Sequence, residues 1–484
     1  MDQSLRNRAV SGVGWSAAEA FLGQGVTFIV GIILARLLSP AEYGLIGIIT
    51  IFTVVLTGIV DSGFSNALIR KNDTTQEDYD TMFITNFVMS ILLYILLYIS
   101  APIISRYFDR LELTDLTRVT GLILIIQAFS LVQNTILTKR IDFKTKTKAS
   151  VISAVLSGVI GIAMAYTGFG VWSLVGQILS KQLICAILLW ILNHWKPTFS
   201  FRIDSFRYMW GFGWKLMLSG LLNNIWAQLY QLVVGKFYSP ETLGQYTRSK
   251  EYASLFSSNF TTIIQRVSFP VLAEVQDDKV RLLVGYRKVI SLTMFITAIC
   301  MFFLGAVADP LIYCLIGSKW DLAARYLPLI CISLSLYPLH AINLNLLQVE
   351  GRSDIFLILE IIKKVISIGP ICLGVLVSIY WMLIGSIISG IINFFLNSYY
   401  SGKSLGYSSW MQLKDVLPSY VIALIIALSV YFLKYLPLSF WIILPLQVVV
   451  GSLVFFILSK AFKVKEYEEI KGMIKTYIGK LKNH

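Results

Sequence analysis

The sequence predicts an all-α, polytopic membrane protein of about 14 transmembrane helices: two six-helix lobes in parallel repeat, with two extra helices. Three observations carry that class. Of the 484 residues, 56% are hydrophobic and 14% charged, where a soluble domain has about 45–50% and about 25%. Apolar runs of the ~20 residues needed to cross a bilayer recur along the whole chain. Two stretches about 200 residues apart also repeat one another.

Taken in order, the apolar runs bounded by charged or Pro/Gly turns lie at 14–38, 43–69, 81–104, 117–138, 149–166, 170–192, 211–235, 248–273, 286–307, 325–348, 355–377, 381–400, 416–434 and 440–459. The run at 248–273 is the most polar, with Asn259, Gln265 and Arg266 along one face. Arg6 and Arg8 precede the first run, whose length exceeds a signal-peptide core of about 7–15 residues, so it is expected to remain as a span. The residues left over cannot hold a soluble domain of about 100 residues, which excludes a cytosolic catalytic module.

The net charge of +14 would suggest nucleic acid in a soluble protein, but here it records topology. With the N-terminus inside, the inside segments together with the adjoining span ends hold 27 of the 41 basic residues, and the outside loops with theirs hold nine. Short inside loops carry such an excess, so both termini are expected in the cytoplasm, with no nucleic-acid partner. Cys185, Cys300, Cys314, Cys331 and Cys372 show no CxxC and read as apolar packing residues.

The repeat pairs Gly12-Val13-Gly14-Trp15 with Gly211-Phe212-Gly213-Trp214. It also pairs the Ser39-Pro40 turn ending at Gly44 with the Ser239-Pro240 turn ending at Gly244. Each unit then holds six spans, an even number, so both enter from the same side, and a substrate would sit at their interface. The expected organisation is a lobe at 1–192, a cytoplasmic linker at 193–210, a lobe at 211–400, two added helices at 401–459 and a basic tail at 460–484. In the tail, Tyr467, Ile470, Ile474, Ile478 and Leu481 fall at helical spacing opposite Lys471, Lys475, Lys480 and Lys482. It reads either as a surface helix on anionic lipid or as a solvated topogenic tail.

There is no GxxxxGK[ST], HExxH or GxSxG, and His194, His340 and His484 are far apart in sequence. ATP hydrolysis, zinc catalysis and triad hydrolysis have no support, and no catalytic residue, metal ligand or cofactor is expected. What remains is a set of ionisable and polar residues at membrane depth, where each is costly and so a candidate for function. Asp61 and Glu19 are candidates for ion coupling, although Asp61 reads equally as a helix cap or half of a buried ion pair. Arg36, Lys236, Arg248, Arg266, Gln24 and Gln228 are candidates for substrate binding. Snorkelling to headgroups explains Arg36 and Lys236 adequately, whereas Arg266, about seven residues before the inner end of its run, is harder to explain that way and reads better as a cavity residue. Lys363 and Lys364 with Glu360 read as an internal ion pair, and His340 as a packing hydrogen bond or a proton carrier. Arginine holds phosphate through a planar fork that keeps its charge when desolvated, so this cationic set suits an anionic cargo.

The stretches LARLLSPAEYG (34–44), DSGFSNALIRK (61–71), KRIDFKTKTK (139–148), GFGVWSLV (168–175), GQYTRSKEYA (244–253) and QRVSFPVLAEVQDD (265–278) resemble, in order and spacing, the polysaccharide transport family of Wzx-type flippases. That family shares a superfamily with MATE drug exporters and the lipid II flippase. The resemblance implies two six-helix bundles with a central cavity, sometimes with two further helices. It implies a cargo of undecaprenyl-pyrophosphate-linked oligosaccharide (O-antigen, capsule or exopolysaccharide repeat) taken from the cytoplasmic to the periplasmic face by alternating access. Its implied partners are lipid-linked oligosaccharide, membrane lipid, H+ or Na+ as coupling ion, and a downstream polysaccharide polymerase. Arg36, Asp61, Tyr246 and Arg248 stand in the family's recurrent motifs. Two alternatives stay open: a cation-coupled drug exporter of the same superfamily, and a membrane glycan polymerase or ligase. Against the latter, the outside connections are short, the longest about 20 residues at 307–325.

Overall fold

Prolines and serines set the helix starts. Ser39 is an N-cap whose hydroxyl accepts from Glu42 N (3.4 Å), while Glu42 Oε2 accepts from Ser39 N (2.6 Å), with Pro40 at the first helical position. At the repeat-matched turn, Ser239 Oγ accepts from Thr242 N (3.2 Å) ahead of Pro240, so one sequence pattern makes one local structure twice. A computed structural model describes residues 22–275, 277–350 and 352–472, and among them the chain is helical without strands.

Packing divides the chain after Gly244. The first unit contains α1 (Gln24–Leu37), α2 (Pro40–Asp61), α3 (Phe64–Arg70), α4 (Gln76–Tyr107), α5 (Leu113–Thr120), α6 (Ile123–Lys139), α7 (Phe143–Tyr166), α8 (Trp172–Asn193), α9 (Ile203–Phe237) and the first turn of α10 (Pro240–Glu274). The second contains the rest of α10, then α11 (Lys279–Ala306), α12 (Ala308–Leu315), α13 (Asp321–Ser335), α14 (Tyr337–Val349), α15 (Ser353–Leu376), α16 (Ile379–Leu405), α17 (Ser409–Tyr431) and α18 (Phe440–Ala461).

Ten helical stretches among the described residues are long and apolar enough to cross a membrane, and they coincide with ten of the expected runs. The other four runs fall in α1, α9, α10 and α15. The described part of α1 has 14 residues. The remaining three are long but interrupted: Asn223, Asn224, Gln228 and Gln231 fall in α9, Arg248 and Arg266 in α10, and Glu360, Lys363 and Lys364 in the otherwise apolar α15. Two expected spans have a different course. The run at 43–69 is broken where Ser62 (φ 50°) and Gly63 (φ 71°) turn left-handed between α2 and α3. The run at 211–235 belongs to a 35-residue helix that starts at Ile203, inside the segment read as linker.

The rest of that segment is strapped to the start of α4. Asp80 is fully buried and accepts from Thr198 N (3.1 Å) and from the Thr198 hydroxyl; Trp195 Nε1 donates to Gln76 Oε1 (3.0 Å), and Arg202 pairs with Glu77 (2.6 Å). A carboxylate out of water must be multiply hydrogen-bonded, and the strap supplies those donors. Phe83, Trp190 and Trp195 close over it edge to face.

Within the first unit, α9 packs along α2, and the approach is set by glycine. A Cβ on Gly44 would overlap the Pro240 carbonyl, and one on Gly244 would overlap the Pro40 carbonyl, so the two Ser-Pro turns seat reciprocally on each other's glycine. At the opposite end of the pairing, a Cβ on Gly63 would lie 2.6 Å from Gly213 O, and one on Gly213 would lie 2.6 Å from Ser62 O. Gly213 belongs to the repeated GxGW; its counterpart Gly12–Trp15 lies outside the described residues.

In the second unit, the added helix α17 packs along α11, and Tyr420 of α17 meets Ser335 (3.0 Å) and the Phe302 ring. Gln447 of α18 donates to the Val430 carbonyl (2.9 Å). Tyr286, Asn343 and Ser401 form a buried hydrogen-bonded trio joining α11, α14 and α16. Asp415 accepts both nitrogens of Arg287 (2.9 Å each) and the Tyr407 hydroxyl (2.5 Å); burial and that donation hold the Tyr407 hydroxyl above its usual range. Tyr467 and Ile470 pack onto Phe295, Ile422 and Ile426, so the described start of the tail faces protein. Ile474, Lys475, Ile478, Lys480, Leu481 and Lys482 lie outside the described residues.

A side chain at Gly44 must displace backbone, which gives a sharp test. Gly44→Ala should destabilise the protein by about 1–3 kcal/mol through overpacking. Gly25→Ala, where nothing lies within 4 Å of the new Cβ, should leave thermal unfolding in detergent unchanged.

Candidate functional site

The polar face of α9 turns toward α2. Gln231 is buried and its Nε2 donates to Gly47 O (2.8 Å); Asn224 Nδ2 lies 2.8 Å from where a Cβ on Gly58 would stand. Asn224, Gln228 and Gln231 follow at i, i+4 and i+7, one helical stripe. Gln228 and Gln231 stand out in the sequence as polar residues of an apolar span; Asn224 is found by the same spacing once a stripe is sought.

Between α2, α4 and α9 lies a cleft of about 370 Å³, walled by Phe52, Val55, Leu97, Ile104 and Leu229, with Ser100 and Gln228 as its polar members. The Gln228 Oε1 is buried without a hydrogen-bond partner. An orphaned buried acceptor costs about 1–3 kcal/mol, and a ligand donor reaching it would recover that. An apolar cleft with one convergent polar group is the form of a small-molecule site.

Asp61 ends α2 beside the helix break. Its Oδ1 accepts from the Ser65 hydroxyl (2.5 Å) and Ser65 N (3.4 Å), and Ser65 Oγ lies 3.0 Å from the Thr135 hydroxyl of α6. The carboxylate thus caps the first turn of α3 and begins a polar chain across the bundle. Further along, Lys139 Nζ donates to Leu68 O (3.1 Å) and Thr74 Oγ1 (3.0 Å), and Lys71 pairs with the buried Asp78 (2.7 Å).

The remaining sequence candidates are scattered. Arg36 is exposed in the last turn of α1, and Gln24 is the exposed first residue of that helix. Lys236, the repeat mate of Arg36, bonds the Tyr107 carbonyl, pairs with Asp109 (3.3 Å) and stands 4.7 Å from the Tyr107 ring centre. In the second unit Arg248 is buried and pairs with Glu251 (2.6 Å). Arg266 lies on α10, but its side chain is outside the described residues, as is all of Glu19. His340 Nδ1 is 3.5 Å from Asn397 Nδ2, a contact between α14 and α16, and Lys363 pairs with Glu360. Within the first unit, then, the structure brings together Gln228 and the α2–α9 seam, while Asp61 sits at the break where that seam ends.

Comparison with known proteins agrees with this architecture. The family described as "Polysaccharide biosynthesis protein" matches residues 33–325. The succinoglycan biosynthesis transport protein ExoT of Rhizobium meliloti (strain 1021) is 25% identical over 362 residues, which is 75% of this chain and 73% of that protein. The lipid II flippase MurJ, solved in an inward closed conformation, superposes with a TM-score of 0.71 at 18% identity, over 94% of this chain and 98% of its own. An inward-facing multidrug resistance MATE transporter gives 0.63 at 17% identity, over 81% and 96%. At these identities the two structures speak for the fold, an all-helical polytopic membrane fold of the MurJ and MATE kind.

The cap at Asp61 can be separated from its charge. Asp61→Ala should lower stability by about 1 kcal/mol, as loss of a helix cap does, while Asp61→Asn, which keeps an acceptor for Ser65, should unfold close to wild type. Equal loss in both, measured by thermal unfolding in detergent, would assign the effect to the charge instead.

Proposed function

Because the chain belongs to the polysaccharide biosynthesis protein family, a family of flippase-like membrane transporters, we propose that it moves an undecaprenyl-pyrophosphate-linked oligosaccharide from the cytoplasmic to the periplasmic leaflet by alternating access. The observation that carries this reading is the family match across residues 33–325. The inside excess of basic residues supports an inner-membrane protein with both termini in the cytoplasm.

In this reading, Arg36, Lys236, Arg248 and Arg266 supply cations for the pyrophosphate and for acidic sugars, and Gln24 and Gln228 supply neutral hydrogen bonds. Gln228 is the best supported of these, since its acceptor is unpaired in an apolar cleft. The walls of that cleft suit a hydrocarbon chain, and the amide suits a donor near the chain's polar end. Asp61 and Glu19 are the groups for H+ or Na+ coupling, with Asp61 already hydrogen-bonded into a chain of hydroxyls. The drug-exporter reading rests on likeness of fold, and no feature described above favours it.

The test is reconstitution with a labelled lipid-linked oligosaccharide, scoring exposure on the far leaflet. Transport should exceed that of empty vesicles; equality would reject the proposal. Gln228→Leu should keep or raise thermal stability, because it removes an orphaned acceptor, while lowering transport severalfold. Asp61→Asn should insert normally yet lose the dependence of transport on a proton or sodium gradient, and an unchanged gradient response would remove Asp61 from coupling.

A further inference from the structure

The second unit holds a cavity of about 510 Å³ among α12, α13, the end of α17 and the start of α18. It is made by loops 307–320 and 432–439, which face outward in the orientation proposed above. Its floor is small and apolar, from Gly305, Ala306 and Ala324. Gly305 permits this closeness, since a Cβ there would stand 3.3 Å from the Pro328 Cα.

The walls carry two ion pairs and several rings. Asp309 pairs with Lys434 (2.8 Å) and Asp321 with Arg325 (2.9 Å). The Lys434 ammonium stands 3.9 Å from the Tyr431 ring centre and 5.3 Å from that of Tyr435. Tyr313 stacks on Phe440, with ring centres 5.0 Å apart and planes within 14°, and donates its hydroxyl to Asp321. Burial and that donation push the Tyr313 hydroxyl up to about 12, so it stays protonated.

These groups narrow the ligand. Two carboxylates and two cations balance, so the pocket has no net preference for an anion or a cation. Either would have to compete with an ion pair already formed. The carboxylates only accept hydrogen bonds and the cations only donate them. A ligand bridging neighbouring members of both pairs needs adjacent groups that do each, as vicinal hydroxyls do. The tyrosine faces and apolar floor suit the C–H faces of a ring, and the volume lies in the range of about 300–1,000 Å³ usual for small-molecule sites. The geometry points to a saccharide-binding pocket, of mono- or disaccharide size, built by the two added helices against α12 and α13. This rests on the glycan-transport reading, and it adds a site for the sugar part of the cargo on the outward end of the second unit. Multiple hydroxyl contacts there would favour the glycan's outward exposure without engaging the lipid.

The probe is the lipid-free oligosaccharide released by mild acid from the polyprenyl-linked glycans of the protein's own cells. Binding to the full chain in detergent is read by calorimetry and by saturation transfer from protein to sugar protons. Wild type should bind, and Tyr435→Ala, which removes a mostly exposed ring, should weaken binding by about threefold to tenfold, the scale of one ring contact. Tyr435→Phe should retain it, and Lys434→Met should reduce it. No binding to wild type, or binding equal in wild type, Tyr435→Ala and Lys434→Met, overturns the pocket. Either result leaves the transport reading to the vesicle assay. Binding lost in the variants while that assay fails would support the pocket and remove the transport reading.

Discussion

The first unit depends on one reciprocal contact: Gly44 gives room to the Pro240 carbonyl and Gly244 to the Pro40 carbonyl. In a bilayer there is no hydrophobic gain from pressing apolar helices together, so close backbone approach and interhelical hydrogen bonds must hold them. The two turns fix one end of the α2–α9 pairing, because α9 ends immediately before Ser239. Gly63 against Gly213 fixes the other end. Between these two backbone contacts the register of α9 on α2 has no freedom, and the Asn224, Gln228, Gln231 stripe is held facing α2. Gln231 donates to a carbonyl there, while the Gln228 Oε1 meets no donor. The backbone contacts thus place Gln228 beside the cleft, where its Oε1 has no partner.

The repeat is legible in the sequence, but not its physical use. Ser-Pro-x-x-x-Gly at two places announces two similar helix starts. Nothing in one sequence says that the two glycines face each other, because their contact depends on where α9 returns in space. The same applies to Asp61. Its depth in an apolar run marks it as costly, yet the left-handed turn at Ser62 and Gly63 that makes it a cap lies in a short polar stretch, 61–66, that the apolar residues on both sides outweigh in a hydropathy window. The run at 43–69 reads as continuous because hydropathy registers composition and not φ.

Three long helices, α9, α10 and α15, stand outside the ten stretches that are both apolar and weakly charged, for two reasons. In α9 and α10 amides and charges lower mean hydropathy, whereas α15 is strongly apolar and is set apart by the charges of Glu360, Lys363 and Lys364. Such groups are tolerable at membrane depth only where protein or water meets them. For α9 the partner is α2; for α15, Lys363 turns to Glu360 on its own helix. Hydropathy thus undercounts the helices whose polar faces are turned to partners, which is where candidates for function concentrate.

Charge divides along the same line. On the proposed orientation the basic excess gathers at the ends of helices on the inside. The cavity of the second unit instead balances Asp309 and Asp321 against Lys434 and Arg325. On the proposed orientation a surplus of cations there would work against the inside excess of basic residues, and a surplus of acids would leave half-exposed carboxylates without partners. Pairing satisfies both constraints and leaves polar atoms at the rim of an aromatic pocket. It follows that Lys434, on an otherwise weakly charged connection, is held there by Asp309 and by two tyrosine rings, and contributes little to topology.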